Sequence, residues 1–547
     1  MGVYRRPHPR RRASGAAVPA RDPDPAKRDL ARRSGNPRRA AYQVLAAVES
    51  REAYANLLLP TVLADRDITG RDAALATELT YGTLRGQGTY DAVLAACSDR
   101  PLDKLDPPVR QVLRLGAHQL LATRIGAHAA VATSVDLAKQ VVGPRVSGYV
   151  NAVLRRVATR DLDAWMAIVV PDPATDADGS LAVRYGYPRW IVAAYRAALG
   201  DSASPLAAGR GSPMPSLVAR PNPPPSSVQA PARPVARGTA DGELEAALAE
   251  GNARPKVTLA ALPGGQDRDQ VMPAQAEPGR WSPYAFTLEV GNPADLIATG
   301  QAAVQDEASQ LAAIALTRAQ PTPSTAGAHR PELWLDMCAG PGGKSRLLHA
   351  LATIATPPEF PHGGPRPPIP PGPAARLIAA ELHPHRAALV KATLARAGRP
   401  DAAAAEVIVA DGTRPPWPEG VFDRVLVDAP CSGLGALRRR PEARWRKTES
   451  DIPALAELQR ALLRSALAAV RPGGVVAYVT CSPVPAETRD VVNAVVGADP
   501  DVEILDASAV LPEVPGTDSA GPLFAQLWPH RHGTDAIFIA LLRRSAQ

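Results

Sequence analysis

The stretch LWLDMCAGPGGKS, from Leu333 to Ser345, decides the fold class of this chain. An apolar run ends at Asp336, a glycine-rich turn follows, and a helix is predicted to begin near Lys344. Glycines let the backbone approach a ligand where a Cβ would clash, and the N–H groups at a helix start point towards that ligand. A strand, a glycine turn and a helix in this order predict a nucleotide-like ligand at the first strand of a doubly wound sheet.

Two other kinds of glycine loop do not fit this spacing. A phosphate-binding P-loop requires glycine at the position that Cys338 occupies. A dinucleotide fingerprint is matched by Gly340 and Gly342, but Ser345 stands where its third glycine is required. A nicotinamide oxidoreductase is disfavoured for this reason, and because the sequence has no obvious catalytic Tyr–Lys or His pair.

Short apolar runs alternate with helical patterns from residue 301 to the end of the chain. The strand-like runs are ELWLDMC, RLIAAEL, AEVIVADG, FDRVLVDAP and GGVVAYVTCS, and helical patterns such as HRAALVKATLARAG lie between them. Alternation of this kind predicts a mostly parallel sheet that helices cover on both faces. We therefore expect a Rossmann-like α/β domain over 301–547, interrupted by a proline-rich surface loop at 357–373.

Acidic residues stand at or just after the ends of the later strands, namely Glu381, Asp411 and Asp428. Ligands of doubly wound sheets bind at the carboxyl ends of the strands, so these side chains are expected around one site. The acid after the second strand suits ribose hydroxyls, and Asp411 suits an adenine amino group. Each acid alone would fit a helix cap as well, but their shared placement favours a binding site.

Cysteines follow two of the predicted strands. Cys431 lies in DAPCSG and Cys481 lies in VTCS, so both should reach the sheet edge that carries the glycine loop. A lone cysteine is usually a small buried apolar residue. Two cysteines at such positions, each followed by serine, indicate nucleophilic chemistry, because a thiolate is a strong nucleophile once its pKa is lowered.

The composition of the chain narrows its possible binding partners and its cellular compartment. The chain has 547 residues and a net charge of +8, and its 58 prolines exclude regular structure from part of it. A basic balance suits a polyanion such as RNA. The four cysteines form no CxxC pair and fit no zinc spacing, so we expect no metal, no disulfide framework and a reduced, cytoplasmic compartment. We also expect no membrane span, no secretory signal and a monomer.

Changes of pattern divide the rest of the chain. Residues 1–34 are rich in Arg, Pro and Ala and predict a disordered basic arm. Apolar residues recur three and four apart over 35–162, for example in DPPVRQVLRLGAHQLLATR, and predict an all-α domain. Residues 180–300 mix helical and β-type patterns and predict a small α+β module. Within it, a stretch rich in Ser, Pro and Gly predicts a flexible insertion at 201–241.

The strings DMCAGPGGKS, DAPCSGLG and TCS, in this order, resemble those of the RsmB/Sun (Nop/Sun) family of RNA 5-methylcytosine methyltransferases. The segment 35–162 resembles the NusB-like RNA-binding domain that bacterial members carry. The resemblance implies S-adenosylmethionine (S-adenosyl-L-methionine) as cofactor and small-subunit ribosomal RNA as substrate. Gly340 replaces an alanine that is common in the family, an exchange that we expect to be harmless. The implied cofactor residues are Cys338, Ala339, Gly340, Pro341, Gly342, Gly343, Lys344, Glu381, Asp411 and Asp428.

The resemblance also implies catalytic roles. Cys481 matches the family's nucleophile, whose thiolate adds to carbon 6 of cytosine so that carbon 5 can attack the methyl sulfonium. Cys431 matches the cysteine that assists product release, and Asp428 is expected to support the charge shift at ring nitrogen 3. The basic segment Leu437–Lys447 suits RNA phosphates, with a solvated basic loop as the alternative. Its residues expected to contact RNA are Arg438, Arg439, Arg440 and Trp445.

Three other functions stay open at this point. A DNA cytosine methyltransferase would use Cys431 rather than Cys481 as its nucleophile. An RNA enzyme of the same family could act on transfer RNA. A binding or assembly factor with an inactive methyltransferase fold is disfavoured, because both cysteines, Lys344 and the acids are all present.

Overall fold

The computed structural model describes residues 35–51, 53–200, 240–263, 267–289, 293–322, 331–352, 375–396 and 405–546. The predicted basic arm, the proline-rich loop at 357–373 and all but the last two residues of the insertion at 201–241 lie outside the described residues. No helix in the described part of the chain is both long and apolar enough to span a membrane.

A helical domain opens the described chain. Its helices, α1 to α8 in order, are Pro37–Arg51, Ala55–Ala64, Gly70–Arg85, Gln87–Cys97, Pro107–Ala122, Ala127–Val141, Ser147–Val157 and Leu162–Val169. Their apolar stripes meet in one core, in which Leu113 and Leu154 are fully buried. Helix α5 begins at Pro107 because proline is tolerated in a first turn. Trp165 of α8 packs into the same core, so the domain extends past the predicted boundary at residue 162.

Three helices connect this domain to the rest of the chain, and their bounds are Ala177–Tyr185 (α9), Arg189–Gly200 (α10) and Ala240–Glu250 (α11). Tyr195 and Leu244 share a buried cluster with Leu434 and Trp528 of the last domain. The Tyr195 hydroxyl donates to the carbonyl oxygen of Leu434 at 2.5 Å. These helices therefore pack beside the segment that follows Cys431.

A small antiparallel sheet comes next. Its strands are Val257–Ala261 (β1), Ala276–Pro278 (β2), Ala285–Leu288 (β3) and Ala302–Val304 (β4), with short helices Arg268–Val271 (α12) and Ala294–Ala298 (α13). The strand order is β2-β3-β1-β4, and Phe286 lies in its core. The boundary predicted at residue 301 is wrong, because Leu259 of β1 pairs with Val304 of β4. Three small or β-branched residues are too few to show a strand period.

The last domain is built on a mixed sheet of eight strands. They are Leu333–Asp336 (β5), Arg376–Glu381 (β6), Glu406–Val409 (β7), Phe422–Asp428 (β8), Val470–Thr480 (β9), Val502–Leu505 (β10), Ala525–Gln526 (β11) and Phe538–Arg544 (β12). The order is β10-β12-β9-β8-β5-β6-β7, with β11 beside β12. Strands β5 to β9 pair in parallel, as predicted, and β12 is antiparallel to β9, β10 and β11.

Helices cover both faces of this sheet. They are Glu307–Arg318 (α14), Gly343–Ala352 (α15), Pro384–Arg396 (α16), Ala443–Arg446 (α17), Ile452–Ala469 (α18), Arg489–Val496 (α19), Ala507–Val510 (α20) and Pro529–His532 (α21). Alternate residues of β9 enter different cores. Val475 and Ala477 pack on the side of α14 and α15, whereas Val476 and Tyr478 pack on the side of α18 and α19. Burial on both faces explains why this strand is apolar throughout.

Candidate active site

The glycine loop leaves the end of β5 and is tied to the neighbouring strand β6. The Ala339 N–H donates to the carbonyl oxygen of Ala380 at 2.9 Å. Behind the loop, the Ser345 hydroxyl donates to the buried carboxyl of Asp336 at 2.6 Å. Burial raises the pKa of Asp336 to about 7, although the hydrogen bond from Ser345 acts in the opposite direction. Asp336 therefore supports the loop from beneath.

Glu381, the last residue of β6, faces the glycine loop. Its carboxylate accepts hydrogen bonds from the backbone N–H groups of Gly340, at 3.0 Å, and His383, at 3.1 Å. Arg386 donates to the Gly340 carbonyl at 2.7 Å and lies 3.6 Å from the Glu381 carboxylate. A Cβ on Gly340 would come within 2.2 Å of Glu381 Oε2, so an alanine here would require the end of the Glu381 side chain to move. That glycine replaces the family's alanine harmlessly stays a prediction.

The other two acids follow β7 and β8. Asp411 accepts hydrogen bonds from the Thr413 hydroxyl, at 2.7 Å, and backbone N–H, at 2.9 Å, and these bonds lower its pKa. Asp428 accepts from Lys344 Nζ at 2.7 Å. Burial disfavours the charge of Lys344, but the attraction of Asp428 outweighs it and raises the pKa of the lysine. The sheet edge therefore holds an ion pair between the glycine loop and β8.

The two cysteines meet at the same edge. Cys431 and Cys481 follow β8 and β9, which run in parallel with Asp428 opposite Val479, and their Sγ atoms are 3.4 Å apart. A hydrogen bond from Cys431 lowers the pKa of Cys481 against the effects of burial and Asp428, and Lys344 adds to the lowering. The same hydrogen bond, with burial, holds the pKa of Cys431 well above its usual range. This arrangement, in which Cys431 can donate to the Cys481 sulfur, favours the thiolate form at Cys481 over that at Cys431.

The basic segment that was predicted to contact RNA is largely turned inward. Arg438 is only 5% exposed, and it donates to Asp535 at 2.9 Å and to Asp306 at 3.1 Å. Arg439 pairs with the same two carboxylates. The prediction that Arg438 and Arg439 contact RNA is therefore wrong, because their guanidinium groups complete a buried cluster of charges. Arg440, the third of the run, is exposed.

The end of this segment joins the last domain to the first. Arg444 is fully buried and donates to the carbonyl oxygens of Arg85, at 3.0 Å, and Gly251, at 2.9 Å. The Trp445 indole N–H donates to the carbonyl oxygen of Leu84 at 3.4 Å. The polar edge of Trp445 is therefore bound to the helical domain, while contact of its ring with RNA stays a prediction.

Comparison with known proteins finds the same two domains. The family described as 16S rRNA methyltransferase RsmB/F matches residues 371–543, and the NusB family matches residues 35–159. The ribosomal RNA small subunit methyltransferase B of Pseudomonas syringae pv. tomato is 30% identical over 523 residues, which cover 93% of this chain and 97% of that relative. The chain belongs to the RsmB/F family of 16S rRNA methyltransferases.

Further comparisons cover this RsmB/F family member almost from end to end. A Mycobacterium tuberculosis protein, whose name assigns it provisionally as a methyltransferase, is 44% identical over 524 residues, covering 95% of this chain and 99% of the relative. The crystal structure of PH0851 covers 93% of this chain and 99% of its own at 21% identity, with a TM-score of 0.68. That likeness concerns the fold. Together with the two family matches, it confirms a NusB-like helical domain followed by a Rossmann-like methyltransferase domain.

A buried group beneath the cysteines of this RsmB/F family member was missed at the sequence level. Glu487 is fully buried and accepts hydrogen bonds from the Ser432 N–H, at 2.7 Å, and the Ser482 hydroxyl, at 2.6 Å. It ends the string VTCSPVPAE, where an acid among prolines resembles an ordinary surface residue. The available signal was the serine after each cysteine, because buried hydroxyls need an acceptor.

Proposed function

We propose that this protein is an S-adenosylmethionine-dependent RNA (cytosine-5)-methyltransferase that acts on small-subunit ribosomal RNA. The observation that carries the proposal is the Cys431–Cys481 pair, with 3.4 Å between the Sγ atoms, near the ion pair of Lys344 and Asp428. A thiolate with a thiol donor beside it suits addition to a carbon atom and later elimination from it. The relatives named as ribosomal RNA small subunit methyltransferases favour that RNA as substrate.

The glycine loop and the strand-end acids fit S-adenosylmethionine. Glu381 and Asp411 offer carboxylate oxygens, which are the acceptors that ribose hydroxyls and an adenine amino group require. A Cβ on Gly343 would meet nothing within 4 Å, so the loop borders open space where α15 begins. Bound there, the cofactor supplies an electrophilic methyl group. The residues that would hold it are Cys338, Ala339, Gly340, Pro341, Gly342, Gly343, Lys344, Glu381, Asp411 and Asp428.

Cys481 begins the proposed reaction. Its thiolate adds to carbon 6 of the target cytosine, which makes carbon 5 nucleophilic towards the methyl group. Nitrogen 3 takes up a proton during this addition, and the Asp428 carboxylate, with Lys344 as its counter-ion, accepts a hydrogen bond from that N–H and supports the shift of charge. A base then removes the proton from carbon 5, and the bond between carbon 6 and sulfur breaks. Cys431 assists this release by donating its hydrogen bond to the leaving sulfur.

Arg440 is the residue of the basic segment that we propose to contact RNA. The target base must leave its stack to reach a thiol at a sheet edge, and the phosphates beside it then need a cation. The pKa of Cys481 is lowered chiefly by the hydrogen bond from Cys431, and Arg440 adds to this effect from nearby. The Arg440 guanidinium also lies 5.6 Å from the ring of Tyr54, so RNA bound here would meet the helical domain.

The test is transfer of labelled methyl groups from S-adenosylmethionine to unmodified small-subunit ribosomal RNA. The wild type is compared with Cys481→Ala, with Cys431→Ala and with a control, Cys97→Ala, whose thiol is buried in the helical domain. We expect 5-methylcytosine from the wild type and the control, and none from Cys481→Ala. Cys431→Ala should accumulate a covalent protein–RNA adduct, because addition is slowed by the lost hydrogen bond but still proceeds, whereas release does not.

Each other outcome points to a different function. Label that appears only in transfer RNA would keep the chemistry and replace the substrate. Label in DNA that depends on Cys431 rather than Cys481 would exchange the roles of the two cysteines. An absence of transfer to every nucleic acid would support an RNA-binding or assembly factor and would contradict the proposed enzyme.

A further inference from the structure

The carboxylate of Glu487 joins the two loops that carry the cysteines. Its Oε2 accepts from the hydroxyls of Ser432, at 2.5 Å, and Ser482, at 2.6 Å, while Oε1 accepts from the Ser432 N–H at 2.7 Å. Gln459 also donates to Oε1, at 3.3 Å, and to the carbonyl oxygen of Pro430, at 2.8 Å. Each of these partners donates to the Glu487 carboxylate, so both of its oxygens act as acceptors.

This network lies directly behind the reacting sulfur atoms. Ser432 follows Cys431 in the chain and Ser482 follows Cys481, so a displacement of either serine moves a cysteine with it. The two sulfur atoms are 3.4 Å apart, and the hydrogen bond between them depends on the relative position of the two loops. A shift of a few tenths of an ångström would weaken it, since a thiol is a poor donor.

Different charged groups act on the two sulfur atoms. The pKa of Cys431 is raised by its hydrogen bond to Cys481 and by burial, and the charge of Glu487 raises it further. The groups that act on Cys481 besides its partner are Asp428, Lys344 and Arg440. The charge of Glu487 acts on Cys431 and not on Cys481, so it favours the state in which Cys431 keeps the proton and Cys481 is the thiolate.

We propose that Glu487 is a positioning residue that holds Cys431 as the hydrogen-bond donor to Cys481. It touches neither sulfur atom and acts through Ser432 and Ser482. Glu487 has this role only if Cys481 is the nucleophile, as the proposed function has it. Without the carboxylate, the two serine hydroxyls, 3.2 Å apart, lose their common acceptor and the loops lose their fixed separation.

The experiment measures the alkylation rate of each cysteine by iodoacetamide against pH, with peptide mass spectrometry to identify the modified residue. The wild type is compared with Glu487→Gln, with Glu487→Asp and with a control, Asp490→Asn, which makes the same chemical change at an exposed position three residues on. In Glu487→Gln we expect alkylation of Cys481 at neutral pH to slow roughly tenfold, which is about one unit in its apparent pKa. Alkylation of Cys431 should begin at lower pH. Glu487→Asp keeps the charge but reaches fewer donors, so its rate of Cys481 alkylation should lie between those of the wild type and Glu487→Gln.

The outcomes separate positioning from a merely structural role. A Glu487→Gln protein that melts at a lower temperature but keeps both wild-type alkylation profiles overturns the proposal. If Glu487→Gln does not fold, Ser482→Ala carries the test, because it removes one hydrogen bond and should shift the Cys481 profile in the same direction. Alkylation needs neither RNA nor cofactor, so a wild type that methylates nothing would refute the proposed function and leave this measurement valid. In the methylation assay, kcat should fall in Glu487→Gln while KM for RNA stays unchanged.

Discussion

Substitution by alanine should lower mainly the stability when it is made at Arg438, and mainly the affinity for RNA when it is made at Arg440. Arg438→Ala removes a buried guanidinium from Asp306 and Asp535 and leaves Arg439 alone with both carboxylates. Truncating one partner of a buried ion pair costs about 3–5 kcal/mol, because the remaining charges stay buried without compensation. At about 2–4 °C per kcal/mol, the catalytic domain should melt roughly 6–20 °C lower. Arg440→Ala lies at the surface and should change stability by less than about 0.5 kcal/mol.

Calorimetry and RNA binding at several salt concentrations distinguish the two residues. Arg440→Ala should bind small-subunit ribosomal RNA more weakly, and the slope of log affinity against log salt should decrease by about 0.7–0.9, the value for one phosphate contact. Arg438→Ala should keep the wild-type slope in the fraction that remains folded. If Arg438→Ala instead melts like the wild type and binds RNA more weakly, Arg438 is a surface contact and not part of a buried charge cluster.

Three further perturbations follow from the same structure. Lys344→Met removes a cation that lowers the pKa of Cys481, so the rise of kcat/KM with pH should move to higher pH; an unchanged profile would remove Lys344 from the thiolate's surroundings. Burial lowers the pKa of His118 to about 4, so stability should fall by about 3 kcal/mol as the pH drops from about 6.5 to 4, because the unfolded chain takes up a proton that the folded chain does not. His118→Asn should show less of this acid loss in thermal denaturation, and equal losses would contradict the assignment. Gly340→Ala should bind S-adenosylmethionine more weakly in calorimetric titration, since the new methyl group meets a carboxylate oxygen; wild-type affinity would show that the loop relaxes without cost.

The residues that could be predicted from the sequence lie at the ends of strands. Glu381, Asp428, Cys431 and Cys481 each follow an apolar run, and a parallel sheet brings the ends of such runs to one edge. Their neighbourhood was therefore predictable without knowledge of any distance. Which of the two cysteines more readily loses its proton could not be predicted from the spacing of these residues, because it depends on the 3.4 Å separation of the sulfur atoms and on charges from several strands.

The errors have a common physical cause. A run of arginines is the same string whether it faces RNA or a carboxylate, and the partners of Arg438 lie 97 and 132 residues away in the chain. Glu487 was overlooked for the same reason, since its donor Ser432 is 55 residues distant. Local patterns report the period of an element and the residue at its end, but they do not report which distant side chain neutralises a charge.

Arg444 has a consequence for the order in which the chain matures. Its acceptors on Arg85 and Gly251 precede it by 359 and 193 residues, so synthesis completes them long before the guanidinium leaves the ribosome. Until the helical domain has folded, that guanidinium would enter the interior without acceptors, which is costly for a charged group. The segment that carries it starts shortly after Cys431. We therefore expect Arg444 to reach its buried position only after the first domain is in place, so the segment that follows Cys431 should be among the last parts of the chain to order.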